Sequence, residues 1–203
     1  NLRSFDLYIA SQLFDIRLPL IAGVVAIILG NSLGVAEEAS GELRTLASLP
    51  ISRTKILVQK WLAMMVMMAI VLVGLIIGIY AVLPFLSDAV LSSRVLIDLI
   101  LMTFLLMALY GMISFGVGMA TGSKGVTMAV SVLIIIGSFI LTTFGQAVDW
   151  LKAYENISVL HYFPAVDVAK SGIDVHNVYV LGGLTVILIC VAPMLLCRRD
   201  LRS

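Results

Sequence analysis

Glu37 and Glu38, followed by Glu42 and Arg44, are the densest set of side chains in this sequence that could do acid–base or metal chemistry. An acidic pair followed by arginine, together with membrane histidines, is the equipment of an intramembrane protease. That arrangement needs arginine four positions after the second glutamate, and Glu42 stands there instead. The only cysteines, Cys190 and Cys197, are seven residues apart in one apolar stretch. That spacing is roughly 10 Å along a helix, too far for a disulfide. No CxxC pair and no His/Cys cluster with metal-ligand spacing occurs, so no zinc, haem or redox site is read, and no catalytic residue is assigned. A GxxxxGK[ST] phosphate loop is also missing, so the chain cannot cradle a nucleotide in the usual way. No cofactor is expected on this chain.

The elements around these residues are set by composition. The chain is 61% hydrophobic and 12% charged, with a mean hydropathy of +1.13, whereas soluble domains carry about a quarter charged residues. Lipid, not water, is its main solvent. A net charge of +1 gives no basic excess for nucleic acid. The sequence opens on Asn1 without a signal-peptide pattern, and an N-terminal piece is expected to precede it.

Uncharged runs cover residues 18–36, 61–87, 99–123, 125–148 and 175–197. Each reaches the length of about 20 residues that a bilayer-crossing helix needs. These runs are apolar on every face, unlike the alternating strands of a membrane barrel. The expectation is an all-α integral membrane protein, one domain over 1–203. Its spans are placed at 17–36, 61–85, 95–121, 126–145 and 177–197.

A cytoplasmic C-terminus puts Arg44, Arg53, Lys55, Lys60, Lys124, Arg198, Arg199 and Arg202 inside, against Arg3, Arg17, Arg94, Lys152 and Lys170 outside. The tight clusters SRTK and CRRDLR both fall inside, as the positive-inside rule prefers. Segments 1–16 and 146–175 are then external and 37–58 cytoplasmic. A sixth span before Asn1 would bring both ends to the cytoplasm. His161 and His176 lie across the bilayer from Glu37 and Glu38, which removes the second requirement of the protease.

In segment 37–58, Ala39, Leu43, Leu46 and Ala47 recur at spacings of three and four, giving a short amphipathic helix. Pro50 disfavours helix at Leu49, and Ser52 is placed to cap a second helix running through Lys55 and Lys60 into the membrane. The outcome is an elbow: surface helix, sharp turn, membrane helix.

This elbow resembles the segment between the second and third spans of type-2 ABC transporter permeases. The matching residues are Glu37 and Glu38, Gly41, Leu43, Leu46 and Leu49, Pro50, Ser52, Arg53 and Lys60. The ending CRRDL at 197–201 and YFPA before the last span resemble the same family. The resemblance implies the membrane subunit of an ATP-driven exporter that works by alternating access. A second permease protomer and separate ATP-binding subunits, which carry ATP and Mg, would be its partners. It also makes the elbow a coupling helix seated in an ATPase groove, formed by Glu37, Glu38, Gly41, Glu42, Leu43, Arg44, Leu46, Pro50 and Arg53. The first and fourth visible spans would face the cavity between protomers, with Asn31, Ser32, Ser131, Ser138 and Thr142 as candidate pathway lining.

Thr127, Ser131, Ser138, Thr142 and Gly145 share one helical stripe, which reads first as polar glue between helices and second as lining of the path. Gly30 and Gly34, Gly74 and Gly78, and Gly118 and Gly122 are GxxxG pairs suited to bundle packing or to a dimer face. Met64, Met65, Met67 and Met68 suit adaptable packing. Arg94 and Asp98, one turn apart, are expected to pair. No acid or base lies deep in a span, as an ion-coupled carrier would usually require. The alternatives to an ABC permease are a non-transporting membrane scaffold and, third, the intramembrane protease.

Overall fold

A computed structural model describes residues 2–36, 53–85, 91–145 and 148–197. The described chain is helical, with no strand among the described residues. It opens with α1 (Leu2–Ile9), which passes through a π-helical turn, Ala10–Phe14, and leads into α2 (Arg17–Asn31). A second π turn, Ser32–Ala36, closes α2. Then follow α3 (Arg53–Val82), α4 (Ser93–Thr121), α5 (Lys124–Phe144), α6 (Asp149–Lys152), α7 (Ala165–Ser171) and α8 (Val175–Cys197). Among the described residues five helices are long and apolar enough to cross a membrane: Arg17–Val35, Lys55–Phe85, Ser93–Thr121, Lys124–Phe144 and Val175–Ala192.

Helix α4 is the hub. It is apolar all round, as a helix must be when other helices cover most of its faces. Leu99, Met102, Leu106, Met107, Tyr110 and Phe115 are all but fully buried along it. The helices around it read off in register. Gly23 of α2 lies by Tyr110, Gly30 by Ser114, and Gly34 by Phe115, so α2 runs parallel to α4. Helix α8 is parallel as well, since Gly172 just before it lies near Asp98 while Ile189 and Ala192 reach Met112 and Phe115.

The α2–α4 crossing is close because it is built from small residues. A Cβ on Gly30 would stand 2.9 Å from the Ser114 Cβ and 3.1 Å from the Phe115 nitrogen. The Ser114 hydroxyl donates to the Ile27 carbonyl across this crossing at 3.0 Å. The three GxxxG pairs therefore have three fates. Gly30 and Gly34 pack inside the bundle, a Cβ added at Gly74 or Gly78 would meet nothing beyond its own helix turn within 4 Å, and Gly118 packs on Val35 while Gly122 ends α4 at φ 60°. Only the last position needs glycine for its backbone conformation, a left-handed helix terminus. Ser123 then caps α5, accepting from the Val126 N–H at 3.5 Å, and the chain reverses.

The end of the bundle where Ala36 closes the second π turn and Arg53 begins α3 is the elbow end, and the opposite end is the cleft end. At the cleft end α1, α6, α7 and two short 3-10 turns cover the starts of α2, α4 and α8 and the end of α5. Asp6 accepts from the Ser92 N–H at 2.9 Å and so ties α1 to the start of α4. The expected Arg94–Asp98 ion pair is not formed among the described residues. Arg94 points to the exterior, whereas Asp98 turns inward, its Oδ2 3.9 Å from the Cβ position of Gly172.

Candidate functional site

The elbow residues Glu37, Glu38, Gly41, Glu42, Leu43, Arg44, Leu46 and Pro50 lie outside the described residues, as does Ser52. Arg53 is described as the first residue of α3. What the structure does place is the pair of anchors on either side. Leu33 sits in the π turn that closes α2, and Lys60 sits in the third turn of α3. The Lys60 Nζ donates to the Leu33 carbonyl at 3.1 Å, and Lys60 is only 8% exposed. The last carbonyls of a helix lack intrahelical donors, and its C-terminus favours a cationic side chain. Lys60 thus serves as a terminal donor for α2 from another helix.

Below Lys60, Met64 and Met68 are fully buried and fill the notch left by Gly111 on α4, while Met67 is exposed. The methionine cluster is therefore divided between protein packing and the outer surface. Toward the cleft end α3 parts from α4. A groove of about 440 Å3 opens there, lined by Leu72, Ile76, Tyr80, Leu96, Ile100 and Phe104 among others.

The polar stripe of α5 faces inward, as its spacing predicts, and its members do different things. Thr127 donates to the Ser123 carbonyl at 2.8 Å and lies 3.3 Å from the Thr121 hydroxyl. Ser131 is 1% exposed, and its hydroxyl has no partner among the described residues. Ser138 is buried and Thr142 half-buried, and both meet Ser158, a residue the sequence reading did not single out. The Ser158 hydroxyl donates to the Ser138 carbonyl at 2.8 Å, and the Val159 N–H reaches the Ser138 hydroxyl at 3.4 Å. Ser158 offers no sequence signal, because its partners stand 16 and 20 residues away along the chain. On α2, Asn31 is buried with its Oδ1 unpartnered among the described residues, whereas Ser32 beside it is exposed. Among these candidates the structure brings Ser138 and Thr142 together and leaves Ser131 two turns away, with Asn31 at the end of another helix.

A second cavity, of about 470 Å3, opens at the cleft end between the start of α2, the end of α5 and residues 155–167. Asp15, Thr142, Glu155, His161, Phe163 and Asp167 are among its walls. His161 Nδ1 stands 3.3 Å from a Glu155 carboxylate oxygen. Desolvation, and then the nearby charge of Asp167, push the Asp15 carboxyl above its ordinary value. Among the described residues no group of three or more His, Cys, Asp or Glu is arranged to hold a metal ion.

Among the described residues five membrane-length helices, four of them set about the central α4, define a polytopic integral membrane protein of the all-α class. The family model described as ABC-2 family transporter protein matches residues 2–201, and the chain belongs to that family, the membrane permeases of ABC transporters. A search among curated proteins finds no match, and neither does one among solved structures.

Proposed function

We propose that this permease subunit exports its substrate by alternating access, driven by ATP hydrolysis on a separate ABC subunit that holds ATP and Mg. It pairs with a second permease protomer, identical or not. Residues 37–52 act as the coupling element, with Glu37, Glu38, Gly41, Glu42, Leu43, Arg44, Leu46, Pro50 and Arg53 meeting the ATPase on the cytoplasmic side. The observation that carries this reading is that the segment leaves and re-enters the bundle at one point, where the Lys60 Nζ lies 3.1 Å from the Leu33 carbonyl. A loop closed at its base can move as a unit. Asn31, Ser32, Ser131, Ser138 and Thr142 are proposed to line the path. In support, Asn31 Oδ1 and the Ser131 hydroxyl are buried without a partner among the described residues. An orphaned polar atom costs free energy that hydration in an open state would relieve.

The test is reversal of Glu38 or Glu42 to Lys, read by co-purification of the ATPase and by transport per ATP hydrolysed. A docked charge left against the wrong partner costs roughly 2 to 5 kcal/mol, against about 1 kcal/mol or less for a charge that only faces water. Both reversals are expected to weaken association or uncouple hydrolysis while the permease stays in the membrane. A bulky residue at Gly41 should do the same. Wild-type values of both quantities in both reversals would remove residues 37–52 as the coupling element.

A further inference from the structure

We infer that Lys60 is the positioning residue of the coupling segment: its Nζ bond to the Leu33 carbonyl locks the exit of residues 37–52 to their entry. A push on the segment then reaches α2 and α3 together instead of bending the elbow. The inference rests on the coupling role proposed above and deepens it by naming the joint through which the motion passes.

Four observations carry it. First, Lys60 is more than nine-tenths buried although it lies near a helix end, where a lysine stem can usually snorkel and leave its nitrogen in water. Burying that group is unfavourable unless it is bonded, so packing alone would favour an apolar side chain here. Second, the acceptor is on the rigid side of the joint. Val35 is fully buried and seats in the space left by Gly118, and Gly34 stacks on Phe115. Third, the donor is on the less buried of the two joined helices: Leu62, Val66, Ile70 and Ile77 of α3 are exposed, whereas Ala22, Ala26, Ile27 and Gly30 of α2 are buried. Fourth, the inward ties of α3 nearest the elbow, Leu57 before Lys60 and Met64 and Met68 after it, share its helical stripe, and beyond them the groove toward α4 opens. Helix α3 is thus held most firmly at the elbow end, whereas toward the cleft end Leu75 and Ile79 are only partly buried against the core, and the Lys60–Leu33 bond lies where a displacement of residues 37–52 must enter the bundle.

The experiment uses the permease co-expressed with its ATPase in native membranes, carrying Lys60→Met or Lys60→Arg. Two quantities are read: transport per ATP hydrolysed, and the distance distribution between spin labels at the exposed positions Ile28 and Val58. A hydrogen bond from a charged donor is worth about a factor of ten or more. Lys60→Met is expected to lower transport per ATP about tenfold, with ATPase co-purification at the wild-type level, and to broaden the distance distribution. Lys60→Arg, which keeps a donor, is expected to restore both. A merely structural role would lower protein yield and leave the ratio of transport to hydrolysis in the surviving protein unchanged, which would overturn the inference. If Lys60→Met does not reach the membrane, Lys60→Gln replaces it, with a smaller loss of the ratio expected and a wild-type ratio overturning the inference. A wild-type distance distribution in Lys60→Met overturns the latch whatever the coupling data say. Wild-type coupling in the Glu38 and Glu42 reversals, with broadening in Lys60→Met, would instead remove the coupling reading and leave the latch standing.

Discussion

The hydroxyls of Thr142 and Ser158 lie 2.7 Å apart, and because the Ser158 hydrogen is given to the Ser138 carbonyl, Thr142 is the donor of this pair. One buried serine therefore fastens the segment after α6 to two successive turns of α5. Ser158→Ala removes both bonds and leaves the Thr142 hydroxyl without its acceptor. At about 0.5 to 1.5 kcal/mol for each bond, the expected loss is about 1 to 3 kcal/mol, seen as earlier thermal unfolding in detergent. Ser131→Ala is the control, since its hydroxyl has no partner among the described residues to lose. Equal melting of the two variants would show that the Ser158 bonds do not hold this segment.

The same spacing of glycines predicts opposite outcomes in two helices. Gly30→Leu drives a side chain into the backbone of α4 at Gly111 and Phe115, and overpacking of this kind costs about 1 to 3 kcal/mol or forces the helices apart. At Gly74 and Gly78 an added Cβ meets nothing beyond its own helix turn within 4 Å, and Gly74→Leu and Gly78→Leu should leave the melting of the isolated protomer unchanged. If Gly74→Leu and Gly78→Leu instead destabilise only the assembled complex, that face of α3 meets another chain. Normal folding of Gly30→Leu would contradict the α2–α4 crossing.

The carboxyl of Asp15 is pushed above its ordinary value of 3.8 by desolvation and by Asp167. The folded state then binds this proton more tightly than the unfolded state, so stability falls as pH rises from about 3.8 through the raised folded value. Above that window the penalty is constant. Asp15 is largely exposed, so solvent screens the effect: Asp15→Asn, which abolishes the charge, should raise the melting temperature at pH 7 only slightly, with the gain shrinking as the pH approaches 4. Asp167→Asn should act in the same direction but less, because desolvation is the larger cause. A gain that did not shrink on acidification would mean that ionisation of Asp15 is not its source.

Much of the architecture is legible in the residues because lipid imposes length and polarity directly. Each of the five apolar runs gives a membrane-length helix. The stripe on α5 is legible for the same kind of reason, since spacings of three, four and seven fix a face whatever surrounds it. What surrounds it is another matter. Gly30 and Gly74 carry the same motif, and only the position of α4 decides that one is packed and the other open. Lys60 could be matched to a family pattern, yet its acceptor is a carbonyl 27 residues away, and a backbone acceptor leaves no trace in residue type. Helix α1 was read only as part of an external segment, because at eight residues it is too short for periodicity to reveal; packing of Ala10 and Phe14 and the Asp6–Ser92 bond hold it. The Arg94–Asp98 pair shows the reverse error: correct spacing brings two residues to one face but does not make them pair, and Arg94 stays exposed while Asp98 lies toward Gly172.

The last prediction concerns sidedness, on which the proposed coupling depends. Lys124 begins α5, and Lys152 lies eight residues beyond its end at Phe144. Twenty-one helical residues span roughly 30 Å at 1.5 Å each, the thickness of the hydrocarbon core. The two lysines should therefore sit on opposite faces of the membrane. Lys124 shares the elbow end with Gly118 and Val35, whereas Lys152 shares the cleft end with Glu155 and His161. The positive-charge bias assigns the elbow end to the cytoplasm. With Cys190 and Cys197 replaced by Ser, Lys152→Cys should react with an impermeant thiol reagent on intact cells. Lys124→Cys should react only after permeabilisation. Labelling of both from one side would contradict α5 as a span. The reverse pattern would keep the fold but place residues 37–52 outside the cell, beyond the reach of any cytoplasmic ATPase, and the proposed coupling would fall with the orientation.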